Sequence, residues 1–317
     1  MKSIASAPGK IILFGEHFVV YGIKAILCSI DMRIIATSKF LDEKIVRVRS
    51  SIGEYQMDLN SLNNLEKVPQ KFMIPFFDIV KKAMEDNSTE KGIEIILESE
   101  IPIGVGLGSS SASCVAATAS VNGLFNRLSK DEVLKRAIQA ERTIFEQNSG
   151  ADSSVSTFGG LMSYDLKNGF ENISSENELN FIISNSSQVH NTQDVVKQVK
   201  NFKEMNEDLF KNLCEQEIEI VNNAITSLKE NNLKKLGSLM SENHDLLKQM
   251  GVSTKEIDLL VREAKKTSYG AKITGAGGGG CIISLVDKSN IKNTLDNLKK
   301  FSDCFLVKID YHGLRYE

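Results

Sequence analysis

Residues 102–125, PIGVGLGSSSASCVAATASVNGLF, constrain the fold more than any other stretch. Gly104, Gly106 and Gly108 alternate, Ser109, Ser110 and Ser111 follow, and small residues then continue without Gly or Pro to Gly123. Glycine admits positive φ and lets a ligand approach the backbone. The run that follows predicts a helix over 109–125. Its Ala112, Ser113, Ala116, Ala117, Ala119 and Ser120 let neighbours pack close, which places it at the centre of its lobe. The first turn of such a helix offers unpaired N–H groups and the positive end of the dipole. A glycine-rich loop feeding that turn suits a phosphate. The competing reading is a strand-to-helix turn that is glycine-rich only because it packs tightly.

At 317 residues the chain is longer than one core usually supports, so two lobes are expected. The boundary falls within 165–180, where a polar stretch at 171–180 interrupts the pattern, giving lobes 1–170 and 171–317. A net charge of −3 argues against a general nucleic-acid binder. The apolar N-terminal region is broken by Lys10, Glu16, His17 and Lys24, unlike a signal peptide. No run of ~18 apolar residues is present to span a membrane. A cytoplasmic protein without membrane partners is expected. The five cysteines are odd in number and contain no C-x-x-C, so neither a disulfide framework nor a zinc site is indicated. Cys114 and Cys281, among small or apolar neighbours, read as buried thiols.

Along the chain, Ile11–Phe14, Val19–Tyr21 and Ile34–Thr37 are β-prone. Pro8-Gly9 is a turn signal just before Lys10, and Gly15-Glu16-His17 sets two titratable residues between apolar runs. Residues 69–86 predict an amphipathic helix with Phe72, Met73, Phe76, Phe77 and Val80 in its stripe, starting or kinking at Pro75. Glu94–Leu97 reads as a strand. Ser129 with Glu132 forms a capping box. The helix it opens is expected to run to Gln147, and Glu141 falls in its apolar stripe. A carboxylate there is costly unless paired or bound to a metal. It is either a marginal or ion-paired Glu, or a ligand for the Mg²⁺ that phosphate chemistry uses. The stretch NSGADSSVSTFGG then reads as a loop carrying Asp152.

Phe181–Ser184 reads as a strand, 192–231 and 232–267 as helices, and His190 and His244 as surface or structural histidines. In Ala271–Leu285, Gly275, Gly277 and Gly280 satisfy G-x-G-x-x-G, but that motif must open a helix. Here Cys281–Leu285 reads as a second strand, so a strand, glycine loop and strand are expected. Val307–Ile309 should add a last strand. Two glycine loops, a helix N-terminus, Glu141, Asp152 and Lys10 together are the parts of a phosphoryl-transfer site. Neither a Walker A motif nor the protein-kinase motifs occur.

Three segments carry a resemblance: SAPGKIILFGEHFVVYG (6–22), PIGVGLGSSSAS (102–113) and KITGAGGGGC (272–281). In this order they resemble the motifs of the galactokinase, homoserine kinase, mevalonate kinase and phosphomevalonate kinase superfamily, the first being most similar to its mevalonate kinase branch. The resemblance implies an α+β, two-lobed small-molecule kinase fold, with an N-terminal lobe like ribosomal S5 domain 2 and a ferredoxin-like C-terminal lobe. It implies ATP and mevalonate as partners, Mg²⁺ as cofactor, and allows a homodimer. It implies that Asp152 is the catalytic base or orienter and Lys10 its cationic partner. Gly104, Gly106, Leu107, Gly108, Ser109, Ser110 and Ser111 would cradle the ATP phosphates, and Ser110 and Glu141 would hold the metal. Glu16, His17, Thr274 and Gly275 would face the substrate. A related kinase acting on phosphomevalonate or another small alcohol, or a non-catalytic binding homologue, is the alternative. Phe145–Asn148 and Val189–Thr192 depart from the family's usual residues.

Overall fold

The computed structural model describes residues 1–102, 104–146, 148–175, 178–188 and 191–317. The first lobe contains β1 (Lys2–Phe14), β2 (Ala25–Leu41), β3 (Ile45–Ser50), β4 (Gly53–Asp58), α1 (Ile74–Asn87), β5 (Gly92–Ser99), α2 (Ser109–Asn122), α3 (Lys130–Glu141), α4 (Ala151–Phe158), β6 (Leu161–Asp165) and β7 (Gly169–Ile173). There follow β8 (Asn180–Asn185), α5 (Thr192–Met205), α6 (Glu207–Lys229), α7 (Leu233–Gln249), α8 (Lys255–Lys265), β9 (Gly270–Thr274), β10 (Cys281–Val286), α9 (Ile291–Leu298), β11 (Cys304–Lys308) and β12 (Arg315–Tyr316). The large sheet runs β12-β1-β2-β5-β3-β4, with β6 on β2 and β7 on β6. It is antiparallel except where β3 meets β5. The small sheet runs β11-β8-β10-β9, all antiparallel. The architecture is the expected α+β fold in two lobes, one per sheet.

The small-residue run forms α2, and from Ser111 to Asn122 every residue but Ser113 is buried. α2 lies on β1 and β2, with α1, α3 and α4 around it. Side chains no larger than valine allow this crowding. At its far end a Cβ on Gly123 would stand 2.3 Å from the Ser3 hydroxyl. In the second lobe α7 and α8 cover β9, and the expected strand–glycine loop–strand is present as β9 and β10.

Several local expectations are corrected. Pro8-Gly9 is a register shift within β1 rather than a turn, and Gly9 lies under Leu107, where a Cβ would meet the carbonyl oxygen at 2.9 Å. Residues Phe18–Tyr21 form a 3-10 turn, not a strand, with only Phe18 buried. Pro75 stands in the first turn of α1, so Phe72 precedes the helix and is exposed. The Ser129 capping box is formed, but α3 stops at Glu141, and Gln147 lies outside the described residues. Asp152 sits in the first turn of a helix, because Gly150 in the left-handed region lets the chain turn directly into α4. Segments 192–231 and 232–267 make four helices. β11 is followed by β12, which returns to pair with β1. His244 is buried, and His190 lies outside the described residues, as does Val189. Cys114 and Cys281 are buried. Among the described residues no helix is long and apolar enough to cross a membrane.

Candidate active site

A cleft of about 740 Å³ opens between the lobes. Its floor is the start of α2. Gly108, with φ 75°, precedes Ser109, and among the described residues no side chain caps the helix. Ala112 N–H already bonds the Gly108 carbonyl, so the N–H groups of Ser109, Ser110 and Ser111 are the ones left for an anion. Gly104 and Gly106 also have positive φ, with open space where a Cβ would be. Gly108 is different: a Cβ there would stand 2.7 Å from Lys10 Cγ. Leu107 is buried and does not line the cleft; its carbonyl accepts from Lys10 N–H at 2.9 Å. The loop is thus fastened to β1 at the residue whose side chain reaches the site.

Lys10 is buried, and its Nζ stands 3.2 Å from Asp152 Oδ2. The partners arrive from opposite sides, one from the sheet and one from the first turn of α4. Glu141, at the end of α3, is buried. Its Oε1 accepts from Ser111 Oγ at 2.7 Å, and its Oε2 from Asn148 Nδ2 at 2.6 Å and Ser153 Oγ at 3.0 Å. All three donors are neutral, and among the described residues no ion pair reaches Glu141. A buried carboxylate that lines the cleft without a cation is a hard-oxygen donor suited to Mg²⁺. Ser111, not Ser110, bonds Glu141. Ser110 lines the cleft beside it and is exposed.

The other wall carries Glu16, His17, Thr274 and Gly275. Thr274 Oγ1 accepts from Ile12 N–H at 2.9 Å and donates to the Ile12 carbonyl at 3.0 Å, joining the lobes beneath the cleft. Gly275 comes near the first glycine loop: a Cβ would lie 3.9 Å from the Gly106 oxygen. His17 adopts φ 63°, and its Nε2 donates to the Ala276 carbonyl at 2.7 Å. Because a carbonyl only accepts, Nε2 carries the proton. Burial pushes the His17 pKa down, so the ring is neutral and Nδ1 is left as an acceptor.

Behind this wall Glu16 joins a cluster whose other members, Lys272, Glu217 and Asn243, the sequence did not single out. Glu16 pairs with Lys272, both fully enclosed. Burial raises the Glu16 carboxyl and lowers the Lys272 ammonium, and each opposes the other's shift by their attraction. Glu217 on α6 accepts from Gly15 N–H at 2.9 Å and from Asn243 Nδ2 at 2.6 Å. Burial, then repulsion from Glu16, push Glu217 up to about 8. The alternation of buried and exposed positions along α6 marks Glu217 as core-facing, but nothing in one sequence links it to residue 15. A second cleft adjoins the first. Leu65, Phe72, Ile74 and Ile144 line it, and Phe145 lines both.

Two family models match, GHMP kinases N terminal domain over residues 76–160 and GHMP kinases C terminal over 224–303. The mevalonate kinase of Thermococcus sibiricus is 34% identical, over 100% of this chain and 99% of that protein. The crystal structure of the Methanococcus jannaschii mevalonate kinase superposes with a TM-score of 0.86 at 29% identity, covering 97% of this chain and 98% of that one. That of L. major mevalonate kinase in complex with R-mevalonate gives 0.81 at 25% identity, covering 98% and 96%.

Proposed function

The chain belongs to the GHMP kinase family, and on that premise we propose that it transfers the terminal phosphoryl group of ATP to the primary hydroxyl of mevalonate, giving mevalonate 5-phosphate in isoprenoid biosynthesis. The observation that carries this reading is the Lys10–Asp152 pair, 3.2 Å apart and in one cleft with the uncapped N-terminus of α2. Full-length relatives named mevalonate kinases support the choice of alcohol.

The phosphates lie on the N–H groups of Ser109–Ser111, where the helix dipole favours negative charge. Gly104 and Gly106 leave the backbone bare for their approach. The adjoining cleft, with exposed Phe72 and Phe145, offers flat apolar faces for the purine. Glu16 and His17 contact the alcohol from the opposite wall. Asp152 orients the attacking hydroxyl and accepts its proton as the oxygen closes on the γ-phosphorus and ADP leaves. Lys10, buried and fixed by its own backbone bond to Leu107, places positive charge beside the oxygen that loses the proton. Glu141 and Ser110 are the residues that would hold Mg²⁺, which when bound neutralises charge on the phosphate oxygens.

The test is ADP release from ATP and Mg²⁺ across mevalonate, phosphomevalonate, galactose and homoserine. Mevalonate should turn over with the highest kcat/KM. A preference for another alcohol would transfer the assignment to that substrate, and no turnover with any of them would sink the kinase reading.

A further inference from the structure

The turn Gly15-Glu16-His17 belongs to the first lobe, yet each of its residues is held by the second. Glu217 Oε1 accepts from Gly15 N–H at 2.9 Å, Lys272 pairs with the Glu16 carboxylate, and the Ala276 carbonyl accepts from His17 at 2.7 Å. The turn does not hold this shape by local preference. Gly15 has φ 93°, and a Cβ there would stand 2.5 Å from Ala25 Cα. His17 has φ 63°, a region that costs a non-glycine residue of order 1 kcal/mol or more. Such a conformation persists only where its surroundings over-determine it. The surroundings here are Glu217 and Lys272, both 0% exposed. Asn243 Nδ2 fixes the second oxygen of Glu217 at 2.6 Å. Glu16 and His17 are both among the residues that line the cleft, and Glu16 Oε2 is buried with no partner among the described residues.

We infer that Glu217 and Lys272 are positioning residues for the acceptor alcohol. They hold the Gly15–His17 turn in its strained form, so that Glu16 and His17 keep their places in the wall of the cleft that faces the alcohol. Glu217 acts through the backbone of the turn and Lys272 through the Glu16 carboxylate. Among the described residues neither has a hydrogen bond or ion pair to the nucleotide loop, so their removal should act on the alcohol alone. This rests on the proposed kinase reading for its substrate, but not for its conformational part.

Glu217→Ala leaves Gly15 N–H without an acceptor. Glu217→Gln keeps an acceptor oxygen there, and its amide can pair with Asn243 Oδ1, which has no other partner among the described residues. In kinetics with each substrate varied, Glu217→Ala should raise KM for the alcohol by about tenfold, the equivalent of one hydrogen bond, with KM for ATP unchanged. Glu217→Gln should restore most of the loss. Amide hydrogen exchange, read without turnover, should show faster exchange at residues 12–18 in Glu217→Ala and near-parental exchange in Glu217→Gln. If Glu217→Ala does not fold, Asn243→Ala tests the same link by freeing one Glu217 oxygen, with the same direction and smaller size. Equal losses for ATP and alcohol, or unchanged exchange over 12–18, would overturn the inference. Altered exchange in a protein that phosphorylates no alcohol would leave the positioning intact and reject the substrate reading.

Discussion

At the scale of single residues, the site depends on where a few polar groups are allowed to be. Lys10 reaches Asp152 because its stem passes over a position with no side chain, Gly108, and its backbone is bonded to Leu107. Asp152 holds no bond to the nucleotide loop among the described residues. Asp152→Asn therefore removes the proton acceptor while leaving the phosphate cradle whole. We expect kcat to fall by about 10²–10⁴-fold, with the Kd of a fluorescent ATP analogue unchanged. An Asn variant that keeps parental kcat would move the base elsewhere. Glu141 stood out in the sequence as a carboxylate in an apolar stripe, whereas Lys10, after Pro8-Gly9, and Asp152, in a stretch rich in serine and glycine, drew their roles from the company they keep and from the resemblance. It was silent on Lys272 and Glu217, which look like ordinary charged residues of a strand and a helix. Their roles depend on residues 256 and 202 positions away.

At the scale of elements, α2 is the piece that brings these residues together, since it touches β1, α3 and α4 at once. Its buried positions run all the way round, so it has no amphipathic stripe. The small side chains, not a periodic pattern, revealed it in the sequence. A helix so enclosed tolerates no added volume. Ala116→Leu should destabilise the fold by about 1–3 kcal/mol, seen as a lower urea midpoint with an unchanged m-value. Ser113→Ala, at the half-buried position, should leave the midpoint in place. Equal midpoints for Ala116→Leu and the parent would mean that α2 has room beside it. The elements misread from sequence were the short ones. Val19–Tyr21 is β-prone by composition, but Gly15 and Gly22, both at positive φ, curl it into a turn. The segment around Asp152 is rich in serine, which signals a loop, yet its serines are buried against neighbouring elements and the eight residues wind into a helix. Local propensity was overridden in both, by the flanking glycines in the first and by packing in the second.

At the scale of the whole molecule, the end of the chain closes what its beginning opened. After β11 the backbone leaves the small sheet and crosses to the first lobe. There Gly160 N–H and Ser29 Oγ donate to the Asp310 carbonyl at 2.8 and 2.6 Å. Leu314 N–H donates to the Thr157 carbonyl at 2.9 Å, and β12 pairs with β1. Arg33 clasps the segment by pairing with the Asp310 carboxylate and donating to the Gly313 carbonyl at 2.7 Å. The fit is tight enough that a Cβ on Gly159 would stand 2.5 Å from Gly313 N. A two-residue strand of Arg and Tyr has no periodicity to read, which is why this return was invisible in the sequence. The segment is fastened to the last turn of α4, the helix that carries Asp152. A chain ending at Ile309 would lose two backbone bonds at that point, each worth about 1 kcal/mol. Exchange over 151–160 should then quicken by about tenfold or more, and kcat should fall with KM for ATP little changed. Arg33→Ala should move both quantities the same way by less. If the shortened protein exchanges as the parent does over 151–160, then α4 is held by α2, α3 and the large sheet without the terminal segment, which serves only to cover the edge of β1.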